Sequence, residues 1–172
     1  MSAVAATEGL ERGRVEKLRR RLSNPWMLKL FMLMKLPLAL LAGLRIQRID
    51  DSECAVSVPY RWLSTNPFKS TYFAALSMAA EMSTGALAMV TVQASPVPVS
   101  ILVVGMRGEF VKKATGLTTF RCTSGELLSE AVLKTIGDGE ASVAEAETVG
   151  TDEHGNVIAR FTFTWSFKRK SS

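Results

Sequence analysis

The 172-residue chain has one histidine, two cysteines, two tyrosines and three tryptophans, and these scarcities exclude several chemistries. The lone His154 sits in Glu153-His154-Gly155-Asn156, which is hairpin-turn composition. One chain can therefore build neither a Ser-His-Asp triad nor a His-rich metal site except through that turn. Cys54 and Cys122 lie at unrelated spacing on separate strand-like segments, which reads as two buried small hydrophobes and not as a disulfide framework or a metal site. A reducing, cytoplasmic setting follows as the default expectation. The chain has no Walker loop, zinc-ligand spacing, RNA-binding aromatic signature, internal repeat or low-complexity tract. No metal and no cofactor is expected.

Acidic residues are outnumbered, 16 against 21 Lys and Arg, for a net charge of +5. Position decides what that excess means. Arg12, Arg14, Lys17, Arg19, Arg20 and Arg21 occupy the N-terminal arm, and Lys168, Arg169 and Lys170 close the chain. Charge placed at the ends reads as solvated surface, and no nucleic-acid partner is expected. At 47% hydrophobic and 22% charged residues the composition is that of a folded globular protein, and the length suits one domain. The expected division is a charged arm over 1–22, either frayed or an exposed helix, and a single domain over 23–172.

That domain opens with a helical segment over 24–43. Asn24 can cap a helix and Pro25 can take its first position. Trp26 to Leu44 is the most hydrophobic stretch and is about long enough to span a bilayer, with Arg19 to Arg21 before it as a positive flank. Lys29 and Lys35 interrupt it, Pro37 breaks it and Gly43 ends it. Two short helices, packed on the domain or lying on a membrane surface, are expected instead of a span or a cleaved signal.

Strands are expected at Leu44 to Ile49 and Cys54 to Trp62, the second with Val56, Val58, Tyr60 and Trp62 on one face. A loop over Leu63 to Lys69 then leads to a central helix. Beyond it, Val99 to Lys113 and Leu117 to Thr123 read as strands. Ser124 to Ile136 reads as a helix or irregular crossover ending at Gly137-Asp138-Gly139. The last two strands, Ala141 to Gly150 and Val157 to Lys168, form a hairpin. In the second of them Val157, Ala159, Phe161, Phe163, Trp165 and Phe167 point one way. Ile101 to Val104 is apolar at every position, so that strand must be buried on both faces or end at a covered edge. One helix cannot cover both faces, which leaves the N-terminal helices or a second protomer to cover the rest. A homodimer, possible also as a pair of dimers, is the expected assembly.

One residue stands out chemically. From Ser70 to Met106 the only charged side chain is Glu81, within a run rich in Ala, Leu and Met that has almost no polar face. A helix apolar on all sides is buried on all sides. A carboxylate there is costly unless paired, so its pKa rises and it becomes a candidate general base. The bland alternative is an ion pair with Arg107, Lys112 or Lys113, or exposure at a rim. Ser77 and Thr84 share its side of the helix and either orient it or back-bond to helix carbonyls. Met78, Met82 and Met89 fill core or line an acyl pocket, and sequence does not separate these.

Asn66-Pro67-Phe68-Lys69-Ser70-Thr71-Tyr72-Phe73-Ala74-Ala75, continuing to Ala80-Glu81 and Gly85, resembles the central-helix motif of hotdog-fold acyl-CoA thioesterases of the phenylacetate-degradation type. In those enzymes an Asn precedes a His-Gly-Gly helix start by six positions and an acid follows that His by nine. Asn66, Tyr72 and Glu81 keep both spacings. Gly108 to Ala114 looks like a strand of the same family, and Val58-Pro59-Tyr60-Arg61-Trp62 marks an uncharacterised branch of it, domain of unknown function 4442; the resemblance covers about Leu44 to Lys168. His-Gly-Gly is here Tyr72-Phe73-Ala74, so the imidazole is missing while a helix start with free N–H groups is kept.

The resemblance implies an α+β hotdog fold, an antiparallel sheet wrapped around a long central helix. It implies paired protomers with a site at their interface, the acid from one chain and the oxyanion donor from the other. Glu81 would then be the base on water or the nucleophile, with Phe73 and Ala74 N–H as oxyanion donors and Asn66 as orienter. Tyr72, Ser77 and Thr84 would lie near the substrate, and Lys112, Lys113 and Arg121 would meet the phosphates of a CoA or acyl-carrier-protein thioester. The rival expectation is a non-catalytic acyl-binding or assembly protein, favoured by Tyr72-Phe73. A third is a peripheral membrane protein anchored by Trp26 to Leu44.

Overall fold

The computed structural model describes residues 12–170. Three helices open the described residues: α1 (Arg12–Ser23), α2 (Pro25–Lys35) and α3 (Pro37–Ala42). Strands β1 (Arg45–Ile49) and β2 (Cys54–Val58) follow, then a short 3-10 helix (Trp62–Ser64) and the central helix α4 (Phe73–Ala94). After it come β3 (Val99–Phe110), β4 (Thr118–Cys122), α5 (Gly125–Asp138), β5 (Ser142–Thr151) and β6 (Val157–Arg169). The six strands form one sheet in the order β1-β2-β4-β5-β6-β3, each pair antiparallel. The sheet curls around α4, which carries thirteen buried residues. By length and composition α4 could cross a membrane, but most of it lies inside the protein.

Local chemistry explains the boundaries. The Asn24 side chain accepts from the N–H groups of Trp26 and Met27 at 3.0 and 3.2 Å, and Pro25 takes the first turn of α2. Pro37 restarts the chain as α3, which Gly43 ends in the left-handed conformation. Two short helices therefore form where they were expected. The arm beyond residue 11 is a helix and is not wholly exposed, since Val15 and Leu22 are buried where α1 packs on α4 and β1. Residues 1–11 of the expected arm lie outside the described residues. The outer face of α2 and α3 is apolar and open, with Trp26 80% exposed and Leu33, Met34 and Leu38 each at least 60% exposed.

One strand expectation and one helix expectation need correction. The second strand stops at Val58 instead of running to Trp62. Pro59 has no N–H for the ladder, and Trp62 turns out on the 3-10 helix, 85% exposed. The central helix starts at Phe73, three residues later than its composition suggests. The N–H groups of Thr71 and Tyr72 are taken by the carbonyls of Ala114 and Ser64, both at 2.7 Å, which holds those residues extended.

Strand β3 lies at the sheet edge and changes phase partway. Ile101 and Val103 oppose Phe167 and Trp165 on the concave face, Val104 is skipped in a bulge, and Met106, Gly108 and Phe110 then oppose Phe163, Phe161 and Ala159. Leu102, Val104 and Met106 stay 65%, 55% and 55% exposed, so nothing among the described residues covers this apolar edge. Gly108 is needed there, because an added Cβ would lie 2.6 Å from the Phe161 ring.

Cys54 and Cys122 are Cα partners across β2 and β4, both free and fully buried. Burial pushes both thiols up, that of Cys54 to about 12. Buried hydroxyls tie helix to sheet. Ser83 meets the Thr148 hydroxyl at 2.8 Å, and the Trp165 indole N–H donates to Thr84 Oγ1 at 3.0 Å. Thr84→Val keeps the side-chain shape and orphans that indole N–H. It should lower unfolding free energy by about 1–3 kcal/mol, read as a shifted urea midpoint at constant slope. A change under a few tenths would show that the bond contributes nothing.

Candidate functional site

The loop before α4 is built by Asn66. Its side-chain carbonyl oxygen accepts from the N–H groups of Phe68 and Ser70 at 3.0 and 3.2 Å and from the Ser70 hydroxyl, while its amide donates to Ser70 Oγ at 3.1 Å. Lys69, at φ 57°, supplies the left-handed residue that closes the loop. Both polar atoms of Asn66 are thus used inside the loop. The side chain thereby positions the helix start.

Tyr72 caps α4 in extended conformation without a side-chain hydrogen bond. The Ala75 N–H turns back to the Tyr72 carbonyl at 2.9 Å, and the N–H groups of Phe73 and Ala74 have no partner among the described residues. Two adjacent free donors at the positive end of a 22-residue helix are suited to an oxygen that gains negative charge. They open into a groove of about 570 Å³ whose walls include Phe68, Tyr72, Phe73, Phe110, Lys112 and Lys113. Aromatic rings run from its wall into the core, with Tyr72–Phe73 centroids at 4.9 Å, Phe73–Phe110 at 6.4 Å and Phe110 against the buried Phe161 at 5.4 Å.

Glu81 is elsewhere. It is eight residues along α4 from Phe73, about 12 Å along the axis. Its carboxylate faces a separate apolar cavity of about 240 Å³, bordered by α2, β3 and Trp165. It lies on the one stripe of α4 that the sheet leaves partly open, with Ala74, Ser77, Met78, Gly85 and Met89. No ion pair or hydrogen bond reaches the carboxylate among the described residues, so the alternative pairing with Arg107, Lys112 or Lys113 is not made. Desolvation alone pushes its pKa above the ordinary 4.5. Gly85 keeps the space beside it clear. A Cβ there would stand 3.1 Å from Glu81 Oε1 and 3.0 Å from the Trp165 ring.

The remaining candidates divide. Ser77 donates to the Phe73 carbonyl at 2.9 Å, a back-bond within the helix. Thr84 donates to the Glu81 carbonyl at 3.0 Å, accepts from Trp165 and is fully buried, so it has no surface to offer a substrate. Lys112 pairs with Asp152 at 3.2 Å, and Lys113 reaches the Phe68 carbonyl at 3.4 Å on the groove rim. Arg121 does not join them. It projects from the exposed side of β4 and pairs with Glu53 at 3.8 Å. His154 gives the hairpin turn its backbone N–H, donated to Asp152 at 3.0 Å. The Asn156 side chain, with further donors, holds the Asp152 carboxyl well below the usual carboxylate range. No group of three or more His, Cys, Asp or Glu is placed for a metal ion among the described residues.

The profile of the family described as Domain of unknown function (DUF4442) matches residues 24–167. The chain belongs to that family. No curated protein sequence matches it. Among solved structures, this DUF4442 domain is similar to a Pseudomonas aeruginosa protein of unknown function described as a probable thioesterase, with TM-score 0.68 and 19% identity over 87% of this chain and 99% of that one. It is similar also to a protein of unknown function from Chlorobaculum tepidum, at TM-score 0.71 and 14% identity, covering 95% and 99%. A thioesterase from Haemophilus influenzae aligns at TM-score 0.58 and 10% identity, covering 81% and 88%. Likeness at these identities establishes the fold, and the fold of this DUF4442 domain is the hotdog.

Sequence reasoning did not place Trp165, Gly85 and Met89 beside the carboxylate. Trp165 reads as plain strand core, and only the alternation of β6 hinted that it faces the helix. The raised Glu81 pKa has a thermodynamic consequence. The folded state favours the protonated acid, so the stability Glu81 contributes is full below about 4.5 and is lost as pH rises through the higher folded value. The unfolding free energy of wild type relative to Glu81→Gln should therefore fall as pH is raised from 4 to 8 in urea titrations. A difference that stays flat with pH would show the carboxylate to be solvated.

Proposed function

We propose that this protein is a thioesterase that hydrolyses an acyl thioester at a site shared by two protomers. The observation that carries the reading is the separation of its two halves. Free N–H groups at Phe73 and Ala74 and an unpaired, desolvated carboxylate at Glu81 are complementary for acyl transfer to water, but within one chain they stand about 12 Å apart along α4. Oxyanion donors and a general base must both come within about 3 Å of the reacting atoms. The open edge of β3 supplies the remedy. Pairing that edge antiparallel with its two-fold mate brings the Ile101 end of one strand beside the Phe110 end of the other. Ile101 borders the Glu81 cavity and Phe110 touches Phe73. The exposed Leu102, Val104 and Met106 support such an interface.

In this arrangement Glu81 of one protomer takes a proton from water as the water oxygen bonds to the thioester carbonyl carbon. The carbonyl oxygen, now negative, is held by the Phe73 and Ala74 N–H groups of the other protomer. Collapse breaks the carbon–sulfur bond, and the proton held by Glu81 passes to the departing thiolate, leaving carboxylic acid and free thiol. A desolvated acid with a raised pKa is suited to moving that proton near neutrality. Tyr72 and Phe73 flank the oxyanion position. Lys112 and Lys113 at the groove rim are available to a phosphate-bearing carrier, CoA or an acyl carrier protein, at the expense of only a surface ion pair. Ser77, Thr84 and Arg121 contact no substrate in this scheme. The setting is the cytoplasm, consistent with two free thiols. The exposed apolar face of α2 and α3, bordered by Lys29 and Lys35, supports contact with a membrane surface as a further partner.

Turnover of an acyl-CoA panel tests the chemistry. Glu81→Gln should lower kcat at least about a hundredfold, the scale for losing a positioned general base, with circular dichroism unchanged. Equal turnover in a folded variant would remove Glu81 from the mechanism. Absence of turnover by wild type on every thioester would favour the rival reading, an acyl-binding or assembly protein.

Assembly is tested separately. An obligate interface of this kind buries on the order of 2,000 Å² or more in total, so light scattering at low micromolar concentration should give twice the 18.7 kDa chain mass or a multiple of that. Replacing Val104 by Lys, in the centre of the free edge, should shift the mass toward monomer and abolish turnover together. A wild-type monomer would exclude the shared site.

A further inference from the structure

The space beside Glu81 does not end there. Its cavity of about 240 Å³ runs between α4 and the overlying α2, and a second cavity of about 290 Å³ continues under α1 and α2 as far as Gln93. The two share Leu22, Leu28, Phe31 and Met89 as walls, so they adjoin, and a rotamer change in those side chains would join them into one slot. Each alone is small beside the roughly 300–1,000 Å³ of ligand pockets, and joined they fall within it. Along its length the slot is apolar. Glu81 stands at one end with Lys35 at the rim, and Gln93 and Arg21 mark the other. Met82 and Met89 give the floor unbranched, adaptable side chains.

We infer that this slot is an acyl-chain site that takes one unbranched aliphatic chain, its carbonyl end beside Glu81 and its tail beneath α2 toward Gln93. The assignment of the carbonyl end rests on the thioesterase reading; the ligand class rests on the slot itself. Length follows from the helix beneath it. Glu81 and Gln93 are twelve residues apart, about 18 Å along the axis. An extended chain advances about 1.2 Å per bond, so the slot holds on the order of 12 to 15 carbons. Gly85 holds the entrance open, since a methyl group there would press on both Trp165 and the carboxylate.

Two measurements test this and separate it from the thioesterase reading. The first is kcat/KM over butyryl-, octanoyl-, dodecanoyl- and hexadecanoyl-CoA for wild type and Met89→Trp, which fills the slot about 12 Å from Glu81. Wild type should prefer dodecanoyl-CoA. The variant should lose at least about tenfold in its preference for dodecanoyl over butyryl, the cost of leaving a few methylenes outside. The second needs no turnover. Trp26 and Trp62 are exposed and line neither cavity, and Trp165, 5% exposed, borders the one beside Glu81. In Trp26→Phe/Trp62→Phe protein Trp165 is the only remaining indole of the three. Brominated dodecanoic acid should quench it saturably, and dodecanoic acid should reverse the quenching. Turnover that ignores chain length in both proteins, or Trp165 emission unmoved by the brominated acid, would overturn the slot while leaving Glu81 chemistry intact. Saturable quenching without turnover on any thioester would uphold the slot and defeat the thioesterase reading. Should Met89→Trp fail to fold, the quenching result decides alone.

Discussion

The structure depends on one demand, that a 22-residue helix apolar on nearly every side be enclosed. A flat sheet would cover one side of α4 only. Six twisted antiparallel strands curl far enough to cover most of its circumference, and α1, α2 and α5 close over parts of the rest. Ala75, Ala79, Ala80, Ala86 and Ala88 keep the helix thin, so that Phe120, Phe161 and Phe167 on the strands can fill the space around it. Dispersion and burial are nearly indifferent to rotation of such a helix about its axis. Directional bonds remove that freedom: Ser83 to Thr148, Thr84 to Trp165 and Thr91 to Ser129 allow one rotation only. In that rotation Glu81 points away from the sheet, toward the slot and the open β3 edge.

The polar groups of this scaffold are divided by distance. The helix start contributes two donors and a basic rim, the helix middle contributes an acid, and the two face different hollows of one subunit. Asn66 already holds the loop, and the Tyr72–Phe73–Phe110–Phe161 ring series supports the helix start from the side. Crowding by Tyr72 and Phe73 acts on access to the donors and leaves their number unchanged.

Features set by neighbouring residues were legible in the sequence. Asn24-Pro25 announced α2, the alternation of Phe161, Phe163, Trp165 and Phe167 announced β6, and Glu81 stood out as the only charge in a long apolar run. Gly139 closes α5 in the left-handed conformation, within the glycine turn that marked its end. Features set by contacts distant in sequence were not legible. Nothing near Ser70 shows that Ala114 and Ser64 delay the helix to Phe73. The facing of Cys54 and Cys122 depends on which strands become neighbours, and their spacing carries no trace of it. Asn66 kept the spacing of a site residue while its side chain went to loop construction. Arg121 has the charge for phosphate but sits on the wrong side of its strand, because β4 buries Phe120 and Cys122 on the other.

The bulge at Val104 has a consequence for how this chain can vary. Strand pairing has a period of two, so one extra residue exchanges inside for outside from that point on. Upstream of the bulge Ile101 and Val103 look inward; downstream Met106, Gly108 and Phe110 do. Regular pairing over the same length, without the bulge, would set Gly105 and Arg107 opposite Phe163 and Phe161 and move Gly108 from the ring it must clear, whereas loss of Val104 would remove the bulge and keep Met106 and Gly108 in place. Edge strands ordinarily tolerate changes of length at little expense. This one does so only at the bulge, and descendants of this sequence should accept loss of a single residue there more readily than a change of length elsewhere along β3.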